Sequence, residues 1–164
     1  MKFRFALIAT AMFALFAPAS AQDLAGLAPA DEYFGRFGLS VLGIANSIRD
    51  AGFRLDTGAD PRPVIEGPLA FVSDAIHAWE TKYPADPWIA KDLFALENAY
   101  LKVPSDDGLR LAANVEGWLV ADFPGSSYAA RGRAQLASAT GTSPAANAPW
   151  ERYASLRAPL PPPR

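Results

Sequence analysis

The sequence predicts an all-α fold of antiparallel helical hairpins, and three observations carry that prediction. Apolar residues in the second half recur at steps of three and four, the spacing of one helix face. Each such run stops at a proline: Pro84, Pro104 or Pro124. Each proline is followed within two residues by a helix-capping side chain, Asp86, Ser105 or Ser126. Two of these joints match in kind: YPADPW at 83–88 and FPGSSY at 123–128 start 40 residues apart.

Residues 1–21 read as an export signal. Lys2 and Arg4 precede an apolar run from Phe5 to Phe16, which falls short of the ~20 residues a bilayer span requires. Pro18 breaks that run, and Ala19-Ser20-Ala21 supplies a small-residue cleavage site, so Gln22 is the expected mature N-terminus. Residues 22–30 read as a loose lead-in. A helical domain is expected over 31–141, with a short helical turn around Tyr33, Phe34 and Phe37, despite Gly35 and Gly38. Ser40 then caps a helix carrying Val41, Ile44 and Ile48, and Gly52 is its expected stop. Residues 56–63, DTGADPRP, form a turn-rich linker.

Gly67-Pro68 is the expected entrance to the next helix, because proline at the first helical position wastes no backbone N–H. Val72, Ile76, Trp79 and Tyr83 form its apolar stripe. Pro87 opens a second helix, capped by Asp86, with Ile89, Leu93, Leu96 and Tyr100 as the stripe. Ser105 opens a third, where Asp106 and Asp107 meet the positive end of the helix dipole. Leu111, Val115 and Trp118 line that helix, and Ser126 caps a fourth that runs to Gly141. Hairpins are thus expected near 68–103 and 105–140. The tail, 142–164, is rich in Pro and Ala, ends PLPPPR, and reads as disordered.

Composition narrows the function. The whole chain has a formal net charge of −2, and no Lys/Arg cluster stands out. Nucleic-acid binding and attraction to anionic membranes both require such clusters. There is no cysteine, so neither disulfides nor a lipid on an N-terminal Cys can form. Cleavage of the leader would leave a chain with no stable membrane anchor, in the periplasm or, alternatively, secreted.

The two joints resemble those of tetratricopeptide-like repeat proteins of the bacterial cell envelope. Residues 75–100, AIHAWETKYPADPWIAKDLFALENAY, and 114–139, NVEGWLVADFPGSSYAARGRAQLASA, share the plan of an aromatic-Pro helix end, a small polar turn, and a helix beginning near an aromatic. The resemblance implies a right-handed array of hairpins that binds other proteins. The 31–55 segment would then supply a third packing layer.

Few residues suggest chemistry. His77 is the single histidine, so a triad or a His-based metal site lacks partners, and its place beside Ile76 reads as a surface or boundary position. Asp74 and Glu80 share no helix face, and Glu97 has no i, i+4 ion-pair partner. No catalytic, cofactor-binding or metal residues are therefore assigned, and no cofactor is expected. Trp79 and Trp118 sit on apolar stripes and read as core. Trp88 and Tyr128, in the first turns after the two joints, are the candidate partner contacts. The expected function is non-catalytic: an exported protein-interaction or assembly module whose partner is a protein or peptide. An envelope enzyme of unfamiliar type and a self-associating structural subunit are the alternatives.

Overall fold

The computed structural model describes residues 26–141, and helices account for most of them. The expected export signal, its expected cleavage point and the Pro-rich tail lie outside the described residues. No helix among the described residues is long and apolar enough to cross a membrane. The elements in chain order are β1 (Tyr33–Phe34), β2 (Leu39–Ser40), α1 (Val41–Asp56), α2 (Pro61–Val64), α3 (Ala70–Lys82), α4 (Pro87–Leu101), α5 (Asp106–Asp122) and α6 (Ser127–Thr140). A single wide π-helical turn, Ile65–Leu69, joins α2 to α3.

The four capping residues read from the sequence all cap. Ser40, Ser105 and Ser126 accept the backbone N–H three residues on, and Asp86 accepts that of Trp88. Gly141 ends α6 in the left-handed region, at φ 66°. The stripes are core: Val72, Ile76 and Trp79 on α3, Ile89, Leu93, Leu96 and Tyr100 on α4, and Val115, Trp118 and Leu119 on α5 are all buried.

Four expectations are corrected. The segment around Tyr33 and Phe37 is a small antiparallel hairpin rather than a helical turn, with Tyr33 opposite Ser40 and Phe34 opposite Leu39. Gly35 and Gly38 have φ of 69° and 59°, which turn the chain back and rule out a right-handed helix there. Gly35 also lets the hairpin press onto α3, since a Cβ would lie 2.9 Å from the Ala75 Cα. Gly52 does not stop α1; it is buried inside it. The stop comes at Gly58, where Gly58 N–H bonds to Leu55 O and Ala59 N–H to Arg54 O, the paired bonds of a Schellman motif.

The expected linker 56–63 contains the true start of the next helix. Asp60 accepts the Arg62 N–H at 3.1 Å, and Pro61 takes the first helical position. Pro68 is therefore inside a helical run, where its missing N–H and its ring would break α geometry; the run widens into the π turn instead. The described part of the lead-in, 26–30, is finally tied down at Ala28, and Glu32 just after it is anchored too. Ala28 N–H donates to Asp86 Oδ2 at 2.9 Å, and Glu32 accepts from the Tyr83 hydroxyl at 2.5 Å and from Lys82. Those bonds to Lys82 and Tyr83 hold the Glu32 carboxyl below its usual range.

The two aromatic-Pro joints share one geometry. Tyr83 and Phe123 have φ, ψ of −131°, 65° and −128°, 50°. In each, the aromatic N–H bonds four residues back, to Trp79 O or Leu119 O, and its carbonyl accepts from the capping residue, Asp86 or Ser126. The packing around them differs. α4 is the central helix and packs most extensively on α5, with α1 and α6 against it as well and only slight contact to α3. Composition explains its place: apolar residues cover several faces of α4, and a helix of that kind is stable only when enclosed.

Candidate docking groove

A concave face opens where α1, α4 and the start of α6 meet. It encloses a volume of about 470 Å³. Its apolar floor comes from Ala45 and Ile48 of α1, Phe94 and Ala95 of α4, and Tyr128 of α6. The Phe94 and Tyr128 rings lie 5.8 Å apart, and the Arg131 guanidinium covers both, at 4.6 and 5.6 Å. That stacking fixes the mouth of the groove, because a guanidinium over ring faces is attracted by their negative quadrupoles.

Four cations line this groove, Arg49, Lys91, Lys102 and Arg131, in a chain whose net charge is −2. Arg49 pairs with Asp50 at 3.0 Å and Lys102 with Asp56, both at the exposed edge. Lys91 Nζ lies 4.6 Å from the Trp88 ring. Trp88 is 51% exposed, so it does not fold back over its joint as a core residue would. Of the two aromatics singled out from the sequence, Tyr128 thus lies within the groove and Trp88 borders it through Lys91.

One carboxyl belongs to the same groove. Asp92, on α4, is 4% exposed, and burial pushes its pKa up to about 6, with Lys91 pulling it back and Asp86 adding to the rise. Deeper, where α4 meets α5 and α6, Glu97 is fully buried, and neither of its carboxyl oxygens has a hydrogen-bond partner among the described residues. Desolvation, reinforced by the charge of Glu116, pushes Glu97 up to about 8, so it is neutral at pH 7. Glu116 is raised by burial too, and Arg133 at 3.7 Å moderates the rise. Gly132 makes room for this carboxyl: a Cβ there would lie 2.5 Å from Glu97 Oε2.

Asp92, Glu97 and Glu116 were not selected from the sequence. The available signal was spacing. Glu97 falls four residues after Leu93 and Asp92 four before Leu96, so both flank the α4 stripe on a helix with little exposed face. The other candidates are placed as follows. His77 is half-buried and stacked on Trp118, with ring centroids 4.0 Å apart. Glu80 accepts the Trp118 indole N–H at 2.9 Å, and Asp74 accepts the Arg36 backbone N–H from the hairpin. These are long-range structural roles.

A second hollow, about 640 Å³, lies between α2, the π turn and the α4–α5 connection. Its charged groups satisfy one another, Arg62 with Glu66 at 2.9 Å and Arg110 with Asp107 at 3.2 Å. Comparison with protein-family models, curated proteins and solved structures finds no match to this chain.

Proposed function

We propose that this chain is an exported, non-catalytic interaction module of the cell envelope, built on tetratricopeptide-like hairpins, that docks a segment of a partner protein in the α1–α4–α6 groove. The observation that carries this reading is the groove itself: an apolar floor of Ile48, Phe94 and Tyr128 ringed by Arg49, Lys91, Lys102 and Arg131. Apolar concavities edged by a few placed polar groups are the usual form of a ligand site. The ring of cations selects a segment that carries carboxylates. The common geometry of the two proline joints supports the repeat reading, and the leader pattern at 1–21 supports export.

Tyr128 contacts the partner from inside the groove, and Trp88 from its edge. Affinity capture from envelope extract tests the assignment, with the wild-type chain and a Phe94→Ala/Tyr128→Ala double variant run side by side. A protein recovered by the wild type and lost by the variant, with both melting at similar temperatures, supports docking here. Equal recovery by both refutes it.

A further inference from the structure

Asp92 stands apart from the other groove residues. It is more than nine-tenths buried, it faces the groove, and it makes no hydrogen bond or ion pair among the described residues. No protein donor among the described residues bonds its carboxylate, which water alone reaches from the groove, so an incoming cation has no protein group to displace there. Four donors line the same groove, yet each is engaged elsewhere, and only Lys91 acts on the Asp92 charge. Arg49 from α1 pairs with Asp50, Lys102 at the end of α4 pairs with Asp56, Lys91 lies over Trp88, and Arg131 from α6 lies over Phe94 and Tyr128. Asp86, in the α3–α4 joint, contributes a second negative charge rather than a donor.

We infer that Asp92 is a receptor for a Lys or Arg side chain of the docked segment, and that the carboxylates flanking that residue meet Arg49, Lys91, Lys102 and Arg131. The ligand is thus a peptide of mixed charge, a basic residue set between acidic ones. This specificity rests on the docking reading above. The volume of about 470 Å³ admits one long side chain with an apolar neighbour. An incoming cation supplies the donor that the fold withholds and favours the ionised form of Asp92, whose pKa burial raises to about 6. Below that pH the carboxyl is neutral, and its preference for a cation fades.

Two measurements on the full chain test the inference. The first is fluorescence anisotropy with labelled peptides Glu-Trp-Lys-Glu-Leu and Glu-Trp-Gln-Glu-Leu, against wild type and Asp92→Asn, at pH 7.5 and pH 5. The expected result at pH 7.5 is roughly tenfold tighter binding of the lysine peptide by wild type, as a charge-assisted bond implies. Asp92→Asn, still folded by circular dichroism, brings the ratio near one, and wild type at pH 5 does the same. A ratio near one in wild type at pH 7.5, or one that persists in Asp92→Asn, overturns the role of Asp92 and leaves groove docking standing. No binding of either peptide overturns both. The second is an NMR titration of the unliganded chain. Asp92 titrating near 6 agrees with an empty receptor, whereas titration at or below about 4 means that a cation of the chain already fills it, and the inference fails.

Discussion

Replacing Glu97 by Gln tests the electrostatic reading of the interior most directly. The Glu97 carboxyl is enclosed by α4, α5 and α6, and its pKa moves from a reference of 4.5 to about 8. Between those values the unfolded chain releases the proton while the folded chain keeps it. Stability is therefore complete below about pH 4.5, falls as pH rises, and stops falling above about pH 8, where the folded state ionises as well. The slope is about 1.4 kcal/mol per pH unit, so by pH 7 the group costs about 3 kcal/mol. Urea unfolding at pH 5, 6, 7 and 8 reads this out for wild type and Glu97→Gln. Asp92 and Glu116, also raised, give the wild type further slope of the same sign. Glu97→Gln should reduce the slope by about one proton with an unchanged denaturant m-value. The absolute stability of the variant is a poorer guide, because a buried amide without partners carries its own cost of about 1–3 kcal/mol. Parallel pH profiles for the two proteins would refute the assignment of a neutral, enclosed Glu97.

Three other outcomes are expected. Asp86→Ala removes the acceptor for the Trp79 indole at 3.0 Å, for Ala28 N–H and for Trp88 N–H, so it should destabilise by about 3 kcal/mol or more, with Asp86→Asn retaining part of this, as calorimetry would show. Gly132→Ala drives a methyl to 2.5 Å from Glu97 Oε2 and should cost about 1–3 kcal/mol; on a Glu97→Ala background most of that cost should vanish in a double-mutant cycle. Trp88→Ala, at a position 51% exposed, should change stability by no more than about 0.5 kcal/mol while weakening capture of the partner.

The sequence made local structure legible wherever chemistry within a few residues decides it. The caps Ser40, Asp86, Ser105 and Ser126, the stop at Gly141 and the buried stripes of α3, α4 and α5 are of that kind. Two misreadings came from glycine and proline, whose local meaning is double. Gly52 could end a helix, yet Gly58 does so, and Pro68 could begin one, yet Pro61 does so. In both cases a better signal stood six or seven residues away. The groove was only partly visible. Tyr128 and Trp88 stood out because of their positions after the joints, but the place of Asp92 four before Leu96 on the α4 stripe marks only that it lies near the core, not that α1 and α6 meet α4 there to form a groove. The same holds for Glu80, whose bond to Trp118 spans 38 residues, and for Glu97, whose enclosure depends on the absence of a side chain at Gly132.

The wide turn at Ile65–Leu69 is, in effect, one surplus residue absorbed without loss of phase. Val64 and Leu69 are both fully buried although they stand five apart, a separation that would aim them in divergent directions on an ordinary 3.6-residue spiral. Excising Gly67, beside which space is open, and replacing Pro68 by Ala would leave the pair four apart on such a spiral and still aimed inward. Chain length there is interchangeable with pitch, and Pro68 is the residue that holds the choice at the wider pitch.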